Sequence, residues 1–224
     1  MVHRADVMSS QCIDLGSLPP DDFHFKMNGK RFARVAARTV DVAVSALALV
    51  VLSPILLLVA MLVKADSKGP AIYRQERLGL NGKPFTLLKF RSMRTDAEAA
   101  GPVWASQRDP RVTRLGRFLR ATRLDELPQL WNVLKGDMAL IGPRPERPHF
   151  VETLAAEIPH FRARMLVKPG LTGWAQVNFR YGASVDDARV KLSYDLYYVR
   201  HRNFRMNVRI VLGTAKVMLR KEGR

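Results

Sequence analysis

Pro54 limits what this chain can fold into more than any other residue. It sits near the middle of a run of 22 residues, 42–63, that carries no charge. As one straight helix that run would reach roughly 33 Å, the thickness of a bilayer's hydrocarbon core. Proline has no N–H and its ring crowds the carbonyl four residues back, so the helix is expected to bend there. Ser53 can donate to a carbonyl that the proline leaves unpaired. Both flanks are basic. Lys26, Lys30, Arg31, Arg34 and Arg38 precede the run; Lys64, Lys68, Arg74 and Arg77 follow it, diluted by Asp66 and Glu76. Cations gather on the cytoplasmic side, so both ends are drawn there. A helix that enters, breaks at Ser53-Pro54 and returns satisfies both; a simple span with a tolerated proline is the alternative. The run starts too far from the N-terminus, is too long and lacks a small-residue cleavage site, which argues against a secretory signal.

The formal net charge of +17 calls for an anionic partner: nucleic acid, anionic lipid or a phosphorylated substrate. The lone Cys12 cannot build an internal disulfide framework, and the histidines have no zinc-ligand spacing. No Walker A loop, GxGxxG or GxSxG motif occurs, so ATPase, Rossmann cofactor and serine-hydrolase readings lose support.

Residues 1–25 lack periodicity and read as a mobile arm. Residues 71–77 and 84–93 read as strands joined by the hairpin signal Asn81-Gly82. At period two Phe85, Leu87, Lys89 and Arg91 share a face, so Lys89 and Arg91 are expected to point the same way and form a phosphate clamp. Charge protecting an edge strand is the plainer alternative. A short helix is expected at 95–100, and a polar loop with Trp104 after it. Arg111, Arg114, Arg117, Arg120 and Arg123 recur every third residue along an amphipathic helix suited to anionic lipid, phosphate or nucleic acid. Thr122 is expected to cap a further helix that Gly136 stops. A short strand follows at 138–141. Gly142-Pro143-Arg144-Pro145 must be a rigid loop presenting Arg144. Residues 152–165 read as helical with a break at Pro159, 168–173 as a tight loop, and Ser184 with Asp187 as the cap of a helix to about Arg200. On that helix Lys191, Asp195 and Tyr198 share a face. An apolar-rich helix at 208–219 is suited to a membrane surface.

Asp125 and Glu126 stand out as two acids in a basic stretch. A first-turn position and neighbouring arginines would keep carboxylates ionised and collect phosphates. Such a carboxylate can attack phosphorus or hold Mg²⁺ against a diphosphate. Acids are also common first-turn capping residues, which is the plainer reading.

Residues 117–138, centred on Leu124-Asp125-Glu126-Leu127-Pro128-Gln129-Leu130-Trp131, resemble the signature of the bacterial sugar transferases, the monotopic polyprenyl-phosphate phosphoglycosyl transferases. The resemblance continues in Gly142-Pro143-Arg144-Pro145, in Gly170-Leu171-Thr172-Gly173-Trp174-Ala175-Gln176-Val177-Asn178, in Lys89-Phe90-Arg91-Ser92-Met93 and in the Ser53-Pro54 helix. Tyr181-Gly182-Ala183-Ser184 and the residues after it are similar to the branch acting in exopolysaccharide assembly. The resemblance implies transfer of a sugar phosphate from a nucleotide diphosphosugar, usually a UDP-sugar, to undecaprenyl phosphate, with release of UMP. It implies a double displacement with Asp125 as nucleophile and Mg²⁺ held by Glu126 and Asp125. Lys89 and Arg144 are implied at the phosphates or nucleotide, and Asp195 near the metal. Substrate contacts are further expected from Arg91, Arg117, Arg123, Gln176 and Asn178. One departure stands out: Asn203 and Asn207 replace a serine and an aspartate usual in the family.

The expected fold is α+β and mostly helical: a re-entrant N-terminal membrane helix over 26–68, then a cytoplasmic catalytic region over 69–224 with a small β-hairpin and amphipathic interfacial helices. The expected location is the cytoplasmic face of the bacterial inner membrane. The expected partners are a nucleotide diphosphosugar, undecaprenyl phosphate and membrane lipid, without nucleic acid; a homodimer is left open. The competing readings are a basic membrane-surface binding module and an inactive scaffold of polysaccharide assembly.

Overall fold

The computed structural model describes residues 12–18, 31–99, 101, 109–179 and 184–219. The basic positions Lys26 and Lys30, the Trp104 loop and residues 181–183 lie outside the described residues, as does most of the expected arm. Residues 12–18 of that arm are held in place. Ile13 is buried beside Leu192 and Leu196, and its N–H donates to the Ser193 carbonyl at 3.3 Å.

The uncharged run forms two helices, α1 (Arg31–Val51) and α2 (Ser53–Asp66), bent by 63° at the proline. The Ser53 hydroxyl donates to the Val50 carbonyl at 2.8 Å, four residues before Pro54, which is the bond the sequence called for. Among the described residues no single helix is long and apolar enough to cross a membrane, whereas the bent pair passes that test together. Their outer faces leave Leu47, Val50, Val51, Leu57 and Met61 more than 60% exposed. The opposite face of α2 buries Val59 and Val63 against Ala71, Phe90 and Leu119. Two polar side chains fasten α1. Arg38 donates to the Val133 and Leu134 carbonyls at 2.6 and 2.7 Å, and Asp41 accepts from the Leu140 N–H at 3.1 Å.

Strands β1 (Ile72–Leu78) and β2 (Pro84–Phe90) pair antiparallel, Ile72 opposite Phe90 and Leu78 opposite Pro84. Asn81 and Gly82 make the turn at φ 55° and 73°, a region that asparagine and glycine tolerate. The short helix expected at 95–100 is instead a series of turns over 95–99. Helices α3 (Arg114–Thr122) and α4 (Gln129–Lys135) follow, and Gly136 ends α4 at φ 101°. Strand β3 (Ala139–Ile141) pairs in parallel with β4 (Gly170–Thr172). Here the chain crosses itself backbone to backbone. A side chain on Gly170 would meet the Gly142 nitrogen at 2.0 Å, so both positions need glycine. Between these strands lie α5 (Pro148–Glu157) and a 3-10 stretch, Phe161–Leu166, with the break at Ile158–His160 that Pro159 predicts. Helices α6 (Trp174–Asn178), α7 (Val185–His201) and α8 (Phe204–Leu219) complete the fold. Ser184 and Asp187 form the expected reciprocal cap of α7. Helix α8 starts four residues earlier than its apolar pattern suggests, where the Asn203 side chain accepts from the Met206 N–H at 2.9 Å. The mixture of helices with two small sheets is the α+β class expected.

Candidate active site

Helix α3 is capped by Thr113, whose side chain accepts from the Gly116 N–H at 2.9 Å. It ends at Thr122, which does not cap the next element. Its hydroxyl donates back to the Phe118 carbonyl at 2.9 Å, a bond available only inside a helix. The chain then reverses at Arg123, with φ 60°. Asp125 and Glu126 occupy a 3-10 turn, Leu124–Glu126, just before α4 rather than the first turn of α4 itself. Both are buried.

Asn132 of α4 sets how this turn meets the hairpin. Its side-chain oxygen accepts from the Leu88 N–H at 3.0 Å and its amide donates to the Thr86 carbonyl at 2.7 Å, so it pairs with β2 as a strand would. That registry brings Lys89 Nζ to 3.9 Å from Glu126 Oε1. Arg144, from the Gly-Pro-Arg-Pro loop, grips the same carboxylate with both nitrogens, Nη2 to Oε1 at 2.5 Å and Nη1 to Oε2 at 3.2 Å. Arg123 Nη1 adds a third cation at 3.7 Å.

The two acids therefore differ. Burial alone would raise the Glu126 pKa, but Arg144 and Lys89 together hold it well below the usual carboxylate range. Asp125 is pushed up to about 6, by burial first and then by the negative Glu126. Its Oδ1 is buried without a hydrogen-bond partner. The basic surroundings expected to keep both acids ionised hold Glu126 firmly so; at Asp125 burial and the negative Glu126 outweigh the same cations. Lys89 is drawn down to about 8, by burial and then by Arg144.

The other residues expected at the site make the following contacts. Arg91 does not stand beside Lys89: β2 ends at Phe90, and the Arg91 guanidinium turns to the end of α2, donating to the Ser67 carbonyl at 2.6 Å and the Val63 carbonyl at 3.2 Å. A cation at a helix C-terminus complements the helix dipole, so Arg91 caps α2. Arg117 is exposed on α3. Gln176 donates to the Leu171 carbonyl at 3.2 Å and keeps a buried, unpartnered Oε1, whereas Asn178 is exposed and donates to the Trp174 carbonyl within its own helix. Asp195 is fully buried against Arg164, Oδ2 to Nη2 at 2.6 Å. Tyr198 donates to the Ile141 carbonyl at 3.3 Å and to Asn207 Oδ1 at 3.2 Å, so the asparagine at this position still accepts a bond there.

Behind Arg144 lies a cluster that local sequence patterns did not bring together. Arg164 Nη2 donates to the Arg144 carbonyl at 3.0 Å, and Arg77 Nη1 to the Pro145 carbonyl at 2.9 Å. Glu146 joins them, with Lys191, Arg77 and Arg164 nitrogens at 3.3, 3.5 and 3.7 Å. Those cations outweigh the effect of burial and hold Glu146 down to about 2. The one sequence signal for Glu146 is its place directly after the Pro-Arg-Pro loop; Arg164 and Asn132 have none.

No group of three or more His, Cys, Asp or Glu residues among the described ones could form a closed metal cage. Mg²⁺ needs less protein, commonly one or two carboxylates plus substrate phosphates and water. The unpartnered Asp125 Oδ1 and the lone pairs of Glu126 that Arg144 leaves free fit that demand.

A turn that holds one neutralised and one unpartnered carboxylate, closed by a Pro-Arg-Pro loop, defines a class by sequence as well. The bacterial sugar transferase family model matches residues 32–221, and the chain belongs to that family. The chain is 43% identical over 182 residues to a UDP-N-acetylgalactosamine-undecaprenyl-phosphate N-acetylgalactosaminephosphotransferase of Aeromonas hydrophila, covering 81% of this chain and 43% of that protein. It is 54% identical over 128 residues to a putative undecaprenyl-phosphate N-acetylgalactosaminyl 1-phosphate transferase of Bacillus subtilis, covering 57% of this chain and 72% of that protein. It is 42% identical over 189 residues to the exopolysaccharide production protein PSS of Rhizobium leguminosarum bv. phaseoli, covering 80% of this chain and 93% of that one. The chain thus spans less than half the length of the Aeromonas relative and nearly all of the Rhizobium one.

Proposed function

We propose that this protein is a membrane-seated phosphoglycosyl transferase that moves a sugar 1-phosphate from a UDP-sugar to undecaprenyl phosphate, releasing UMP, as a first step in exopolysaccharide or glycoconjugate assembly. The unpartnered Asp125 oxygen carries the reading: a buried carboxylate with a free lone pair beside one already neutralised. In the first displacement an Asp125 oxygen bonds to the sugar-bearing phosphorus and the bond to the UMP oxygen breaks. UMP leaves with that electron pair. In the second, an oxygen of undecaprenyl phosphate attacks the same phosphorus, the carboxylate is released, and a polyprenyl diphosphate sugar forms. Lys89 and Arg144 stand where they can neutralise phosphoryl oxygens, which is most of what phosphoryl transfer asks of a protein. Glu126 keeps those cations in place. Mg²⁺, held by Glu126 and Asp125, would add charge neutralisation at the diphosphate.

The membrane reading rests on the exposed apolar faces of α1 and α2 and on their bend. Faces of that size are costly in water and suited to lipid. A re-entrant pair keeps the basic flanks and the catalytic region together on the cytoplasmic face. Impermeant thiol labelling in intact cells checks this, with Cys12→Ser and single cysteines placed at Lys30 and Lys68. Both positions are expected to stay unlabelled; labelling at Lys30 alone reveals a true span. For the activity, UMP release is measured from a set of UDP-sugars. Release that requires both undecaprenyl phosphate and Mg²⁺ is expected, and its absence for every donor overturns the reading.

A further inference from the structure

We propose that Arg164 is a positioning residue for the transfer reaction. It acts through the main chain of Arg144 and is itself held by Asp195. The inference rests on the activity proposed above, and deepens it. Arg144 can grip Glu126 with both nitrogens only if its backbone stays in place, and a loop between two prolines has few hydrogen bonds of its own. Arg164 supplies one from behind, Nη2 to the Arg144 carbonyl at 3.0 Å, and the same nitrogen meets Asp195 at 2.6 Å. Arg77 does the same one residue on, at the Pro145 carbonyl. Gly170 closes the loop from the other side, its N–H donating to the Pro143 carbonyl at 2.9 Å. Three successive carbonyls, those of Pro143, Arg144 and Pro145, are thus each tied to a different part of the fold. Of the three donors Arg164 is the most buried charge, and Asp195 and Glu146 are the acids that balance it. Asp195 therefore belongs to this brace: its carboxylate faces Arg164, and its role is to keep that guanidinium aimed at the loop.

The test is a double-mutant cycle between Arg164→Gln and Arg144→Gln, read as kcat for UMP release, with an independent footprint. Arg164→Gln is expected to lower kcat by about 30-fold with the donor KM changed less than about threefold, and to lower it by no more than about threefold once Arg144→Gln is present. Losses that simply multiply overturn the proposal. Asp195→Asn, close in volume, is the second variant should Arg164→Gln fail to fold. It is expected to lower kcat by about tenfold with an unchanged Mg²⁺ half-saturation. A tenfold shift in that half-saturation places Asp195 at the metal and overturns the assignment. The footprint needs no turnover. The phenylglyoxal modification rate of Arg144, read by mass spectrometry on the full chain, is expected to rise at least fivefold in either variant, and an unchanged rate overturns the proposal. A parent that releases no UMP overturns the activity instead, and the footprint still decides the positioning role.

Discussion

Two charged clusters lie back to back across the Pro-Arg-Pro loop, and they are built differently. In the rear one Glu146 meets Lys191, Arg77 and Arg164, Asp195 meets Arg164, and none of these side chains has a buried polar atom left without a partner. In the front one Glu126 draws three cations while Asp125 beside it has an oxygen with none. A buried group left unsatisfied costs about 1–3 kcal/mol, so a fold keeps one only where something compensates. The rear cluster stabilises a loop conformation; the front cluster holds unused bonding capacity at the point that loop presents.

The sharpest way to break this contrast is Asp125→Asn. It is expected to reduce UMP release by at least about 10³-fold while the circular dichroism spectrum and thermal midpoint hold, because only an unpaired charge is removed. A variant within tenfold of the parent would remove Asp125 from the reaction. Glu126→Gln comes next, with an expected loss of about 10²-fold and a changed Mg²⁺ dependence; an identical Mg²⁺ titration in parent and variant argues against a metal role. The two clusters also separate by pH. An Asp125 nucleophile must be ionised, and without Mg²⁺ its pKa is raised to about 6, so at limiting Mg²⁺ the rate should fall as pH drops through that value. Stability should not follow. A raised carboxylate pKa favours the folded protein as the group gains its proton, whereas the contribution of Glu146 is present above its ordinary 4.5 and is lost only as pH falls toward its folded value of about 2. Between pH 7 and 5 the rate should drop while the melting temperature holds or rises; a parallel fall in both would erase the distinction. The smallest effect is expected from Asn207→Asp. Tyr198 already donates to the asparagine oxygen, so an aspartate there should change kcat by less than about twofold. A tenfold gain would show that the missing charge matters.

Features written in a few consecutive residues were readable. The Ser53-Pro54 bend, the Asn81-Gly82 turn, the Gly136 stop and the Ser184–Asp187 cap each depend on neighbours within four positions. The carboxylate pair was readable from its motif, and its unequal charge was not, because that depends on which acid Arg144 reaches from 18 residues away. Lys89 and Arg91 show where a periodicity argument stops: alternation holds only while the strand lasts, and β2 ends between them. Thr122 satisfied the cap pattern but had a carbonyl of its own helix within reach. The pairing of β3 with β4 was beyond reach, since each strand is three residues long and they meet across a separate helix. Asn132 and Arg164 carry no local signature because the partners that place them lie 18 to 46 residues away.

The bonds that fasten α1 also set a timetable for making the protein. Arg38 and Asp41 find their partners at Val133, Leu134 and Leu140, 95 to 99 residues further along the chain. At a synthesis rate of about 5–20 residues per second, roughly 5–20 s pass between the emergence of the helix and that of its docking site. Throughout that interval α1 and α2 have no completed domain to rest on, and their apolar faces have only the surroundings to meet. The helix pair therefore has to find its surroundings before the segment that fastens it exists. Assembly runs in the order opposite to support here: α1 is made well before the α4–β3 segment that fastens it, and that segment directly follows the turn that carries Asp125.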